Sequence, residues 1–168
     1  MKQHVIVLID ISYSMKKNSD AIVNGLNSFV DSLRQKRNSN DTYISVILFC
    51  DKIHYMCKFS HIKDVDHFSI NQLPEFGLTF LYDAVGSILT EMIPEKRFQH
   101  TFFIITDGID TGSTVMKESD AKSLCDEAIK NGWRITHCGV DAGNLGASVS
   151  DVHINIDELE SLISGLSI

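Results

Sequence analysis

Val5-Ile6-Val7-Leu8-Ile9 is an unbroken apolar run that turns abruptly polar at Asp10-Ile11-Ser12-Tyr13-Ser14. A strand with one face in water alternates apolar and polar residues. A run that is apolar at every position is instead covered on both faces, as in a parallel sheet. Parallel neighbours need crossover connections, usually helices, so strands of the same kind should recur with amphipathic helices between them.

They do recur. Ile22, Val23, Leu26, Phe29, Val30 and Leu33 fall at three- and four-residue spacings and predict a helix to about Arg37, with Asn18 or Ser19 placed to cap it. Ile44 to Cys50 is a second apolar run. Asp51-Lys52 then leads into Ile53, Tyr55, Cys57 and Phe59 alternating with His54, Met56 and Lys58, which predicts a hairpin to an antiparallel edge strand. Asp64 to Leu73 carries a weak helical pattern, and Phe80 to Met92 a stronger one stopped by Pro94. Thr101 to Ile105 repeats the buried-strand pattern, and Ala121, Leu124, Cys125, Ala128 and Ile129 mark a helix closed by Asn131-Gly132. Trp133 to Val140 reads as a strand, Val152 to Ile156 as a short one, and a helix starts at Asp157. The expected architecture is α/β, a three-layer sandwich in which a mostly parallel, doubly wound sheet with one antiparallel edge strand carries helices on both faces. Neither a repeat nor a domain boundary is visible, so one domain is expected over residues 1–168.

The composition agrees with a packed core: of 168 residues, 43% are hydrophobic and 22% charged, with only 2 Pro and 10 Gly. The net charge of -7 opposes adhesion to phosphate backbones and anionic lipid, so neither nucleic acid nor membrane is an expected partner. The apolar run at Val5 is too short for a signal peptide or a membrane span, which makes the cytoplasm the expected location. Cys50, Cys57, Cys125 and Cys138 lack the spacing of a disulfide scaffold and suit a reducing compartment.

Open sheets of this kind bind ligands beyond the carboxyl ends of their strands, where the strand order reverses. Three polar loops fall there: Asp10 to Met15 after the first strand, Gly77-Leu78-Thr79 before the helix at Phe80, and Thr106 to Asp110 after the run from Thr101. Together they offer two carboxylates, Asp10 and Asp107, and three hydroxyls, Ser12, Ser14 and Thr79. An all-oxygen set of that kind suits a hard divalent ion such as Mg²⁺. Serines at alternate positions of an extended loop point to the same side, and neutral hydroxyl ligands leave the ion with much of its charge, available to an outside carboxylate.

These residues resemble the von Willebrand factor A domain: Asp-x-Ser-x-Ser after a hydrophobic strand, Gly-x-Thr-x-Leu-Tyr-Asp-Ala at Gly77 to Ala84, and Thr-Asp-Gly at Thr106 to Gly108. The resemblance covers nearly the whole chain. It implies a metal-ion-dependent adhesion site in which Ser12, Ser14 and Thr79 are oxygen ligands of Mg²⁺ (or Mn²⁺ or Ca²⁺), with Asp10 and Asp107 acting directly or through water. It also implies a protein partner that supplies an Asp or Glu carboxylate, with Tyr13, Leu78 and Gly108 on the contact surface. Where the family usually has Gly between the two serines, this chain has Tyr13, which restricts the loop if a positive φ is needed there. The chain looks most like intracellular, stand-alone members of bacteria and phages, including the tellurium-resistance type.

Other constellations compete. A hydrolase of the haloacid dehalogenase type would use Asp10 as nucleophile but needs an acid two residues on, where Ser12 stands. Cys50, His54, Cys57 and His61 have zinc-like spacings, yet His54 and Cys57 differ by an odd number on a predicted strand and would face opposite ways. Gly139 to Gly146 imitates a phosphate cradle but lacks the Gly-Lys-Ser/Thr ending. Asp83 is expected to serve the first turn of its helix, and Asp110 either supports the Asp107 loop or faces solvent.

Overall fold

A computed structural model describes residues 1–139, 145–153 and 155–168. The strands are β1 (Lys2–Asp10), β2 (Thr42–Phe49), β3 (Ile53–His61), β4 (Phe98–Thr106), β5 (Arg134–Gly139) and β6 (Ser150–His153). The helices are α1 (Ser19–Gln35), α2 (Leu81–Met92), α3 (Glu118–Lys130) and α4 (Leu159–Ser164). The sheet order is β3-β2-β1-β4-β5-β6, parallel throughout except for the β2–β3 hairpin. The α/β sandwich with one antiparallel edge strand is therefore as the apolar runs predict.

β1 sits at the centre because both of its faces are apolar. Val5, Val7 and Ile9 pack with residues of α1 and α4, including Leu26, Phe29 and Ile163. Ile6 and Leu8 pack with residues of α2 and α3, including Val85, Ile88 and Cys125. From β1 the chain winds outward to β2 and β3, then returns to the other side of β1 as β4. The strand order thus reverses between β1 and β4, and their carboxyl ends stand side by side.

Several local readings need correction. Asp64 to Leu73 forms no α-helix; two single 3₁₀ turns, Ile62–Asp64 and Ile70–Gln72, are joined by extended chain. Ser69 closes the second turn with a reciprocal cap, its hydroxyl accepting from Asn71 N–H while Gln72 Oε1 accepts from Ser69 N–H. Strict alternation along β3 fails because the β2–β3 register shifts on both sides of Val46. Met56 and Cys57 consequently both pack toward the α1 side, whereas Ile53, Tyr55 and Phe59 pack toward the α2 side. The odd-spacing argument against a zinc site does not survive that bulge, although no cluster of three or more His, Cys, Asp or Glu suited to a metal forms among the described residues. At the start of α1, neither Asn18 nor Ser19 caps by side chain; the Ser19 hydroxyl donates back to Lys16 O. The phosphate-cradle motif lies mostly outside the described residues.

The amino-terminal end of the sheet closes over two buried histidines. His100 Nε2 lies 3.0 Å from Glu95 O, which only accepts, so that nitrogen carries the proton. Neutral His100 then accepts at Nδ1 from His4 Nδ1–H at 3.1 Å, and His4 Nε2 accepts from the Ser45 hydroxyl at 2.8 Å. Ser45 Oγ in turn accepts from Phe59 N–H at 3.0 Å. His4 stacks on Phe59 and His100 on Trp133. One proton order satisfies the whole chain, and it joins β1, β2, β3 and β4.

Candidate functional site

The carboxyl end of β1 delivers Asp10, fully buried. Its Oδ1 accepts from Ser12 N–H at 2.6 Å and its Oδ2 from the Thr106 hydroxyl at 2.6 Å. Burial pushes the Asp10 carboxyl above its usual range, opposed by those two bonds and reinforced by the neighbouring charge of Asp107. Ser12 Oγ lies 3.0 Å from Ser14 Oγ, and Ser14 donates to Asp107 Oδ1 at 2.9 Å. Because the Ser14 proton goes to Asp107, Ser12 is the donor in the first bond. The hydroxyls meet although the loop is not extended: a 3₁₀ helix, Tyr13–Asn18, starts here, with Met15 N–H bonded to Ser12 O. The turn curls Ser14 back over Ser12.

Gly77 brings the second loop alongside. It forms a parallel bridge with Ser12, its carbonyl accepting from Tyr13 N–H at 2.9 Å and its N–H donating to Ile11 O at 3.3 Å. A Cβ on Gly77 would stand 2.4 Å from Asp51 Oδ1 and 3.1 Å from Cys50 Cβ, so glycine permits this close approach. Two residues on, Thr79 is buried, and among the described residues its hydroxyl has no hydrogen-bond partner. Phe59 is the one non-glycine with positive φ among the described residues, so Tyr13 needs no glycine-like conformation and its ring is 66% exposed. Leu78 is exposed as well, and Gly108 is half-buried with its N–H on Thr106 Oγ1.

With this geometry in hand, a family model described as von Willebrand factor type A domain matches residues 4–162. The chain belongs to that family. Among solved structures, this von Willebrand factor A (VWA) fold is similar to proximal thread matrix protein 1 from the mussel byssus, with 19% identity over 96% of this chain and 44% of that one and a TM-score of 0.70. It is also similar to the ArnB paralog VWA2 from Sulfolobus acidocaldarius, with 20% identity, 98% and 45% coverage and a TM-score of 0.70. A form of the mussel protein with a zinc-occupied MIDAS motif matches at 18% identity, 97% and 45% coverage and a TM-score of 0.65. The chain spans less than half the length of these proteins. No functionally curated protein matches it.

The VWA fold therefore gathers Asp10, Ser12, Ser14 and Asp107 into one bonded group, with Thr79 two residues beyond the Gly77 bridge to Ser12. Thr79 does not cap α2, whose N-cap is Phe80 without a side-chain bond. Those helix N–H groups are met from the loop after Asp107: Tyr82 N–H by Asp110 Oδ1 and Asp83 N–H by Ser113 Oγ. Asp110 supports that loop, and Asp83 both sits in the first turn of α2 and accepts from loop amides. Sequence reasoning missed Thr106, Thr111 and Ser113 as parts of this site. Only Thr106 left a signal, since it stands directly before Asp107 at the end of a buried strand.

Proposed function

We propose that this chain is a divalent-cation-dependent protein-binding module. Ser12, Ser14 and Thr79 supply hydroxyl oxygens and Asp10 and Asp107 carboxylates to Mg²⁺, Mn²⁺ or Ca²⁺. The observation that carries the reading is the donor set itself, a Ser12–Ser14–Asp107 hydroxyl and carboxylate chain joined through the Gly77 bridge to the loop of Thr79, whose hydroxyl is committed to no hydrogen bond among the described residues. All donors are oxygen, fitting a hard cation. Bound there, the cation supplies a positive centre that an outside carboxylate neutralises.

The partner is a protein offering an Asp or Glu side chain. Tyr13, Leu78, Ile109 and Val115 are large apolar side chains exposed on the loops that carry or adjoin the site, a composition suited to protein contact rather than to a small anion. The zinc-occupied MIDAS of the mussel relative supports a cation at this position of the fold. Binding without catalysis is part of the proposal: Ser12 stands where a phosphohydrolase built on Asp10 needs an acid. We place the module in the cytoplasm, among the intracellular members of bacteria and phages that it resembles. The four cysteines are free, as a reducing compartment requires, and no helix among the described residues is long and apolar enough to cross a membrane.

Immobilised wild type and Thr79→Ala, exposed to lysate of the source cells with Mg²⁺ or with EDTA, test the proposal. The expected partner is captured by wild type in Mg²⁺ alone and loses at least tenfold in affinity when one of its own acidic residues becomes the amide. Capture that persists in EDTA and in Thr79→Ala points instead to a metal-independent scaffold.

A further inference from the structure

Thr79 and Asp107 sit on separate loops, and nothing in either loop alone fixes the distance between them. The bonds that bridge the loops run both ways. Thr79 N–H donates to Thr111 Oγ1 at 3.1 Å, and Thr111 N–H returns to Thr79 O at 2.9 Å. Asp110 accepts Tyr82 N–H at 3.3 Å while holding Ser113 N–H at 3.1 Å, and Ser113 Oγ accepts Asp83 N–H at 3.0 Å. In the opposite direction, the Asp83 carboxylate accepts three successive loop amides: Thr114 at 2.9 Å on Oδ2, and Val115 at 3.0 Å and Met116 at 2.6 Å on Oδ1.

Packing follows the bonds. A Cβ on Gly112 would fall 2.2 Å from the Phe80 ring, and one on Gly86 would fall 2.7 Å from Met116 Cγ. The loop and the first turns of α2 are fitted to each other at both ends of the segment.

We infer that Asp83 and Asp110 are positioning residues of the cation site, forming a reciprocal clasp that holds the Thr79 loop and the Asp107 loop as one unit and ties both to the exposed Val115. The inference rests on the cation-binding reading above. Neither Asp83 nor Asp110 is among the proposed ligands. Each acts through amides and hydroxyls that set where Thr79 and Asp107 stand. By linkage, a cation that fixes Thr79 and Asp107 also orders the amides of Thr114 to Met116, and loosening those amides weakens the cation.

Hydrogen exchange and Mn²⁺ titration on wild type, Asp83→Asn, Asp83→Ala and Asp110→Ala test this, with a thermal melt in EDTA to show that each variant folds. Asparagine at 83 loses the same charge as alanine but keeps an oxygen for Val115 and Met116. The clasp therefore predicts Mn²⁺ affinity in the order wild type, Asn, Ala, with Ala weaker than wild type by at least tenfold. Loss of charge alone predicts that Asn and Ala are equal, which overturns the proposal. Without metal, Asp83→Ala and Asp110→Ala should each speed exchange at Thr79 and Thr111 as well as at Thr114 to Met116. Acceleration confined to Thr114 to Met116 shows that the loops are not one unit. Mn²⁺ binding of normal affinity in Asp83→Ala removes the positioning role alone, whereas wild type that binds no Mn²⁺ removes the cation reading and the positioning role with it.

Discussion

Asp10 carries opposing demands. Its carboxylate is fully buried, which disfavours the charge, yet it is held by one amide and one hydroxyl donor. Thr106 Oγ1 has a second acceptor in Gly108 O at 3.1 Å, so it can turn its proton away and accept from a neutral amide instead. Asp10→Asn should thus fit without strain and remove a buried charge. Its melting temperature in EDTA at neutral pH should exceed that of wild type, and Mg²⁺ should add nothing to it. Wild type should gain with Mg²⁺, by about 2.7 kcal/mol at a hundred times the dissociation constant. An Asn variant that melts below wild type in EDTA, or that gains equally with Mg²⁺, contradicts this account of Asp10. At this scale the sequence was informative: Asp10, Ser12, Ser14, Thr79 and Asp107 are all polar residues at strand ends or in the loop before α2. Thr111 and Ser113 were not legible, because their roles depend on an α2 amino terminus far away in sequence.

At the scale of elements, β1, β2, β4 and β5 were legible because each apolar run fills a two-sided position, whereas the last strand, expected over Val152 to Ile156, is the exposed Ser150–His153, and Ile156 begins a 3₁₀ turn. The exceptions have local causes. The β3 bulge is a matter of register that alternation cannot report, and within Asp64 to Leu73 the extended chain is interrupted at Ser69, the N-cap of a single 3₁₀ turn that stops at Leu73. The histidine chain was invisible in the sequence, since His4, Ser45 and His100 meet only when β1, β2 and β4 pair. Its consequence is pH dependence. Burial, and to a lesser degree the neighbouring His100 ring, lowers the pKa of His4 from 6.5 to about 3 against the opposing pull of Glu95, and burial also lowers that of His100, which Glu95 opposes and Lys96 reinforces. Both imidazoles are neutral in the folded protein, and the unfolded chain takes up their protons first as pH falls. The contribution of His4 to stability is therefore complete above about pH 6.5 and is lost progressively toward about pH 3, at roughly 1.4 kcal/mol per pH unit, and that of His100 is lost in the same direction. Urea unfolding of wild type and His4→Gln between about pH 6 and pH 4 should show the wild-type free energy falling more steeply, by close to one proton. Parallel slopes would mean that His4 is not held neutral by the chain.

For the whole molecule, topology brings the site together. The reversal between β1 and β4 sets Asp10 beside Thr106 and Asp107, the Gly77 bridge adds the loop of Thr79, and two apolar layers hold these strands from either face. The net charge of -7 disfavours an acidic partner at long range, but salt screens it beyond a Debye length of about 8 Å, so contact at the cation decides. Everything proposed about function depends on a cation being held by these five side chains. Electron paramagnetic resonance of Mn²⁺ added to wild type, Ser14→Ala and Asp107→Ala measures that directly. The account predicts a single saturable ion in wild type, displaced by excess Mg²⁺, and affinity at least tenfold weaker in both variants. Wild type that leaves Mn²⁺ free at millimolar concentration, or variants that bind it as wild type does, would contradict it.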